Sequence, residues 1–151
     1  MRLSTFTDYS LRVLMYLATN PGERATIAQV AQAFGVSEHH LVKVVHSLGR
    51  AGWLANVRGK GGGLEFAVPP GKIVIGHVVR HTEGRAIMAG CFEDDDECSI
   101  SDDCRLKGVL ADAVKAMYAV LDRYTIADVV KNRSQLAKVL FVDSRARHTA
   151  V

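Results

Sequence analysis

TIAQVAQAFGVSEHHLVKVVHSLGRAGWL, residues 26–54, decides the fold. Thr26 reads as an N-cap, and Ile27, Val30, Ala31 and Phe34 recur at the spacing of one helical face. Gly35 breaks that helix. Val36 follows, and Ser37 caps a second helix whose apolar positions are Leu41, Val44, Val45 and Leu48. Two short helices joined by a Gly-containing turn match a helix-turn-helix, with the second as the recognition helix. Any antiparallel helix pair can show this pattern, so the flanking sequence has to arbitrate.

Downstream, WLANV (53–57) and LEFAV (64–68) read as short strands on either side of RGKGGG (58–63), and Pro69-Pro70 stops the second. A helix-turn-helix followed by a basic, Gly-rich hairpin is a winged helix. The glycines let the hairpin tip turn and let its backbone approach a phosphate or groove wall, while Arg58 and Lys60 supply charge. RGKGGG lacks the Gly-Lys-Ser/Thr ending and the strand-to-helix setting of a nucleotide-binding loop.

Upstream, TDYSLRVLMYLAT (7–19) reads as a helix capped by Thr7, with Leu11, Leu14, Met15 and Ala18 on its apolar face. Asp8 suits the dipole of the first turn, and Arg12 stands four residues on, where it can pair with it. Residues 73–83 read as a linking helix. RLKGVLADAVKAMYAVLDRY (105–124) reads as a long helix with a broad stripe of Leu106, Val109, Leu110, Ala113, Val114, Met117, Val120 and Leu121. A winged domain of this size has little core left to cover that stripe, which therefore reads as a dimer interface suited to a palindromic operator. Thr125 to Asp128 resembles a capping box opening a short helix. The expected fold is mainly α with a small β-hairpin wing. A winged helix-turn-helix occupies 1–83, a cysteine-bearing loop 84–104, a dimerisation helix with a C-terminal helical segment 105–143, and a flexible tail 144–151.

The 151 residues are 48% hydrophobic and 23% charged, as in a soluble globular domain. No apolar run is long enough to span a bilayer, and the N-terminus is polar and then amphipathic, so a cytoplasmic, non-membrane protein is expected. The net charge of +3 hides an asymmetry. CFEDDDECSISDDC (91–104) holds all three cysteines and seven of the 16 acids, with no base. The rest of the chain is left with 19 bases against 9 acids, a balance that suits a polyanion partner such as double-stranded DNA.

An odd number of cysteines in a reducing compartment argues against a disulfide framework. Cys91, Cys98 and Cys104 are spaced more widely than the paired cysteines of zinc sites. A loop this wide can wrap an iron–sulfur cluster, which thiolates hold. A three-cysteine zinc site and a redox thiol switch fit the same spacing. The acids from Glu93 to Glu97 read as a solvated face that keeps the segment off DNA. No acid, base and nucleophile converge elsewhere, so the chain does not read as an enzyme. His46, His77, His81 and His148 are scattered and read as surface or packing residues.

FTDYSLRVLMYLA, GVSEHHLVKVVHSLGRAGWL, VRGKGGG, the three-cysteine loop, CRLKGVL and LDRYTIADVV are specific in combination. Through them the chain resembles the Rrf2 family of winged-helix regulators over residues 1–142, and within it the nitric-oxide-sensing repressors. The resemblance implies a homodimer with one 4Fe–4S cluster per subunit. Cys91, Cys98 and Cys104 match the family's thiolate ligands, Asp8 of the partner subunit matches a fourth, carboxylate ligand, and Arg12 stands behind it. It implies a repressor that loses operator affinity when nitric oxide nitrosylates the cluster, which oxygen can also strip during aerobic handling. Relatives that regulate cluster assembly hold a 2Fe–2S cluster with a His three residues after the third cysteine. Lys107 stands there in this chain, which weakens the 2Fe–2S reading. Ser37, His39, His40 and Lys43 are expected to contact bases or phosphates in the major groove. Arg58, Gly59 and Lys60 of the wing would reach the adjacent minor groove or backbone. Relatives often carry Asn-His where His39-His40 stand, a departure that bears on base preference. The competing readings are a family member responding to iron–sulfur or redox status, and a cluster-free DNA binder switched by its thiols.

Overall fold

The computed structural model describes residues 3–84 and 104–141. Cys91, Cys98, the acidic run from Glu93 to Glu97 and the tail from Ser144 lie outside the described residues.

Helix α1, Thr5–Thr19, is capped by Ser4, whose hydroxyl accepts the Thr7 N–H at 3.2 Å. This corrects the expectation that Thr7 is the cap. Ser4 stands three residues before that N–H and satisfies it, while the Thr7 hydroxyl is buried and pairs with Thr82 at 2.7 Å. The buried surface of α1 is also wider than one stripe. Val13, Leu14, Tyr16, Leu17 and Ala18 are buried, with Leu11 and Met15 partly so, because the helices Glu38–Arg50, Ile75–Glu83, Ile126–Val129 and Arg133–Leu140 all pack around this helix.

Helix α2, Ile27–Phe34, opens with a full capping box: Gln29 N–H donates to the Thr26 hydroxyl at 3.2 Å, and Thr26 N–H donates to Gln29 Oε1 at 2.8 Å. Gly35 closes it with φ +64°, a conformation that other residues adopt only at a cost, and Val36 N–H returns to the Ala31 carbonyl at 3.0 Å. Helix α3, Glu38–Arg50, buries Leu41, Val44, Val45 and Leu48, as the spacing predicts. Ser37 occupies its N-cap position but makes no side-chain capping bond, so its hydroxyl does not serve the helix as expected.

Strands β1, Leu54–Val57, and β2, Gly63–Phe66, pair antiparallel, with Leu54 opposite Phe66 and Val57 opposite Gly63. A short 3-10 turn, Pro70–Lys72, leads into α4, Ile75–Glu83. Then come α5, Arg105–Leu121, α6, Ile126–Val129, and α7, Arg133–Leu140. Ile126 N–H donates to the Ile73 carbonyl and Ile75 N–H to the Tyr124 carbonyl, both at 2.9 Å, and so fasten α6 to the start of α4. Thr125 and Asp128 form the expected capping box. Bonds from Lys131 and Thr125 hold the Asp128 carboxyl well below the usual carboxylate range.

Leu14, Leu41, Leu48, Leu64, Ile73 and Ile126 are all essentially inaccessible to solvent and share one core under the helix-turn-helix and the hairpin. Each such side chain contributes about 1.5–3 kcal/mol by burial. That core seats the buried face of α3 against α1, α2 and β1.

Candidate nucleic-acid interface and ligand residues

The buried stripe of α3 turns its opposite face outward. Ser37, Glu38, His39, His40, Val42, Lys43 and His46 are all exposed. Ser37, His39, His40 and Lys43, the residues expected to meet DNA, therefore share one open face. Val42 sits among them with 52% of its surface exposed. The sequence reading placed it neither in the core stripe nor among the DNA contacts. Its position, one residue off the 41/44/45/48 stripe, was the signal.

Arg58, Gly59 and Lys60 are exposed at the tip of the hairpin, where Gly62 N–H closes a turn onto the Gly59 carbonyl at 2.9 Å. The hairpin is anchored to the segment entering α2. Ala25 N–H donates to the Leu64 carbonyl at 3.2 Å and Leu64 N–H to the Ala25 carbonyl at 2.7 Å.

Asp8 lies in the first turn of α1 and is held by both ends of the Arg12 fork: Nε to Oδ1 at 3.1 Å and Nη2 to Oδ2 at 2.9 Å. Both side chains are partly exposed, so the pair is worth at most about 1 kcal/mol. Its interest is positional. The Arg12 guanidinium also lies over the Phe34 ring, 5.5 Å from the centroid, at the last residue of α2. One residue after Asp8, the Tyr9 ring lies 6.3 Å from that of His40 in α3. The first two turns of α1 thus touch both helices of the helix-turn-helix.

Cys104 is a free, partly buried thiol at the N-cap position of α5. Among the described residues, no three His, Cys, Asp or Glu side chains converge as a metal site. The donors that are described are a thiol at one helix start, whose softness suits an iron–sulfur group, and a partly exposed carboxylate at another, a harder donor that can complete such a ligand set. On α5 only Val114 of the apolar stripe is buried, while Leu106, Val109 and Val120 are 61%, 63% and 46% exposed.

Near the end of α4, His81 is the packing residue the sequence suggested, and Glu83 carries a role the sequence reading did not assign. His81 Nε2 pairs with the Ser47 hydroxyl at 2.9 Å, and its ring meets Trp53 edge-on at 5.3 Å, a packing role on α3 and the hairpin. Glu83 is a buried carboxylate that accepts the Ser4 N–H at 2.6 Å. An acid in the last turn of a helix opposes the helix dipole and could have drawn notice on that ground.

A family model described as "Rrf2: Iron-dependent Transcriptional regulator" matches residues 3–132. The HTH-type transcriptional regulator NsrR of Bacillus subtilis is 45% identical over 142 residues, 93% of this chain and 97% of that protein. The protein of the same name from Geobacillus kaustophilus is 42% identical over the same shares of the two chains. Among solved structures, the oxidized form of Staphylococcus aureus CymR superposes with a TM-score of 0.71 at 26% identity, covering 87% of this chain and 97% of that one.

Proposed function

This chain belongs to the Rrf2 family of transcriptional regulators, which are not enzymes, and from that premise we propose that it is a nitric-oxide-responsive repressor. In this reading it binds a palindromic operator as a homodimer and carries a 4Fe–4S cluster held by Cys91, Cys98, Cys104 and Asp8 of the partner subunit. The open face of α3 enters the major groove, with Ser37, His39, His40 and Lys43 as its contacts. Arg58, Gly59 and Lys60 of the wing reach the neighbouring minor groove or backbone. The exposed stripe on α5 supports the dimer, since the described residues leave it uncovered.

When bound, the cluster supplies iron that reacts with nitric oxide. The chain's own part is to convert that event into a movement of α3. The observation that carries this reading is the contact line from Asp8 through Arg12 to Phe34. A carboxylate is a harder, more labile donor than a thiolate to such a group. A change in what Asp8 holds is passed by Arg12 to the end of α2, and by Tyr9 to His40 at the start of α3. Because a signal shifts an equilibrium only through contacts that differ between states, these are the contacts that have to differ.

The test is the visible spectrum of anaerobically purified protein during nitric oxide titration, with operator binding followed in parallel. Brown absorption that bleaches as DNA is released supports the reading, and Asp8→Ala should uncouple bleaching from release. A protein still colourless after iron and sulfide reconstitution would leave a winged-helix DNA binder switched by its thiols.

A further inference from the structure

Arg24 lies in the segment that enters α2, outside every group assigned to DNA above. It donates Nε–H to Glu65 Oε2 at 2.7 Å and Nη1–H to the Gly61 carbonyl at 3.1 Å. One guanidinium therefore grips both β2 and the turn that carries Lys60. The backbones are tight at the same place. Ala25 and Leu64 exchange two hydrogen bonds, and a Cβ on Gly63, where φ is +148°, would lie 2.9 Å from the Ala25 carbonyl oxygen. Only glycine lets the strand come this close.

We propose that Arg24 is a positioning residue for the wing: through Glu65 and Gly61 it fixes the hairpin tip relative to α3, so that Arg58 and Lys60 are already aimed when DNA arrives. The inference rests on the wing contacting DNA. As a surface pair, 42% and 40% exposed, Arg24 and Glu65 add little to folding stability. Their effect falls on binding, because a loop ordered beforehand does not have to be ordered on the operator.

The full-length protein, purified anaerobically, is titrated against a duplex that the unmodified protein has selected from a random-sequence library, at several salt concentrations. Arg24→Gln and Glu65→Gln should each weaken binding about fivefold, by the ordering cost of a mobile segment. Neither should change the salt slope, the double variant should be no worse than either single one, and thermal midpoints should stay put. Glu65→Gln is the sharper probe, because removing an acid beside DNA would otherwise tighten binding. Lys60→Ala serves as the reference, lowering the slope by about 0.9 if it meets a phosphate. If Arg24→Gln lowers the slope by that amount and Glu65→Gln is silent, Arg24 contacts phosphate directly and the proposal is overturned. If Lys60→Ala weakens binding but Arg24→Gln does not, the wing binds without needing this anchor, and the proposal again fails. If none of the three changes affinity or slope, it is the wing assignment itself that is wrong.

Discussion

Ser4 donates its backbone N–H to the Glu83 carboxylate at 2.6 Å, joining the cap of α1 to the last residue of α4. Thr7 and Thr82 meet beside it at 2.7 Å. Asp8 follows directly on one side, and the segment leading to the cysteines departs from Gly84 on the other. Described residues that border both proposed-ligand regions, Ser4 and Thr7 before Asp8 and Thr82 and Glu83 before the cysteine segment, thus meet at one hydrogen-bonded point. Burial pushes the Glu83 carboxyl up, but hydrogen bonds from Thr7 and Ser4 outweigh it and leave its pKa below the ordinary glutamate value.

A lowered folded-state pKa fixes the sign of the pH effect. The Glu83 carboxylate contributes stability above its unfolded pKa, and that contribution is lost as pH falls through the folded value. Glu83→Ala leaves the Ser4 N–H without its partner and should cost about 1–3 kcal/mol at neutral pH. Urea denaturation at pH 7 and near pH 4 checks this: the gap between unmodified protein and Glu83→Gln should narrow in acid. An equal gap at both would mean that ionisation of Glu83 does not matter to the fold.

Lys43 stands on the open face of α3, with its charge clear of the core. As a phosphate contact, it releases one counterion equivalent on binding. Lys43→Ala should weaken binding to all duplexes alike and lower the log–log salt slope by about 0.9. A change confined to one base position would instead make it a base reader.

Phe34 offers a test of coupling apart from binding. Phe34→Leu keeps an apolar side chain at the end of α2 but removes the ring beneath Arg12, a contact worth about 0.5–1 kcal/mol. Operator affinity before treatment should hold, while release by nitric oxide should become less complete. Equal loss of both would mean that Phe34 serves only the packing of α2.

What the sequence made legible is local. The box of Thr26 with Gln29, the left-handed Gly35, the α3 stripe and the Asp8–Arg12 pair all lie within a few residues, where periodicity and capping rules apply. What it hid is set across the chain. Ser4 and Thr7 stand three residues apart and look equally able to cap; Thr82, 75 residues on from Thr7, decides between them. Arg24 finds Glu65 41 residues away, and His81 finds Ser47 at a distance of 34. Arg12 reads as a partner for Asp8, but its second contact, with Phe34, needs the fold. Val42 already lay off the α3 stripe in the sequence, and it is 52% exposed among the expected DNA contacts.

The α5 stripe gives the dimer its own test. Leu106 and Val109 are 61% and 63% exposed, so a charge there costs the folded subunit little, within about 0.5 kcal/mol for an exposed site. In an interface core the same charge would be buried without a partner. Leu106→Glu combined with Val109→Glu should therefore leave the helical circular dichroism and the subunit fold in place while sedimentation shows a monomer. Operator binding should fall with it, because each recognition helix then reads its half-site alone. A double variant that still sediments as a dimer would move the interface off this face of α5.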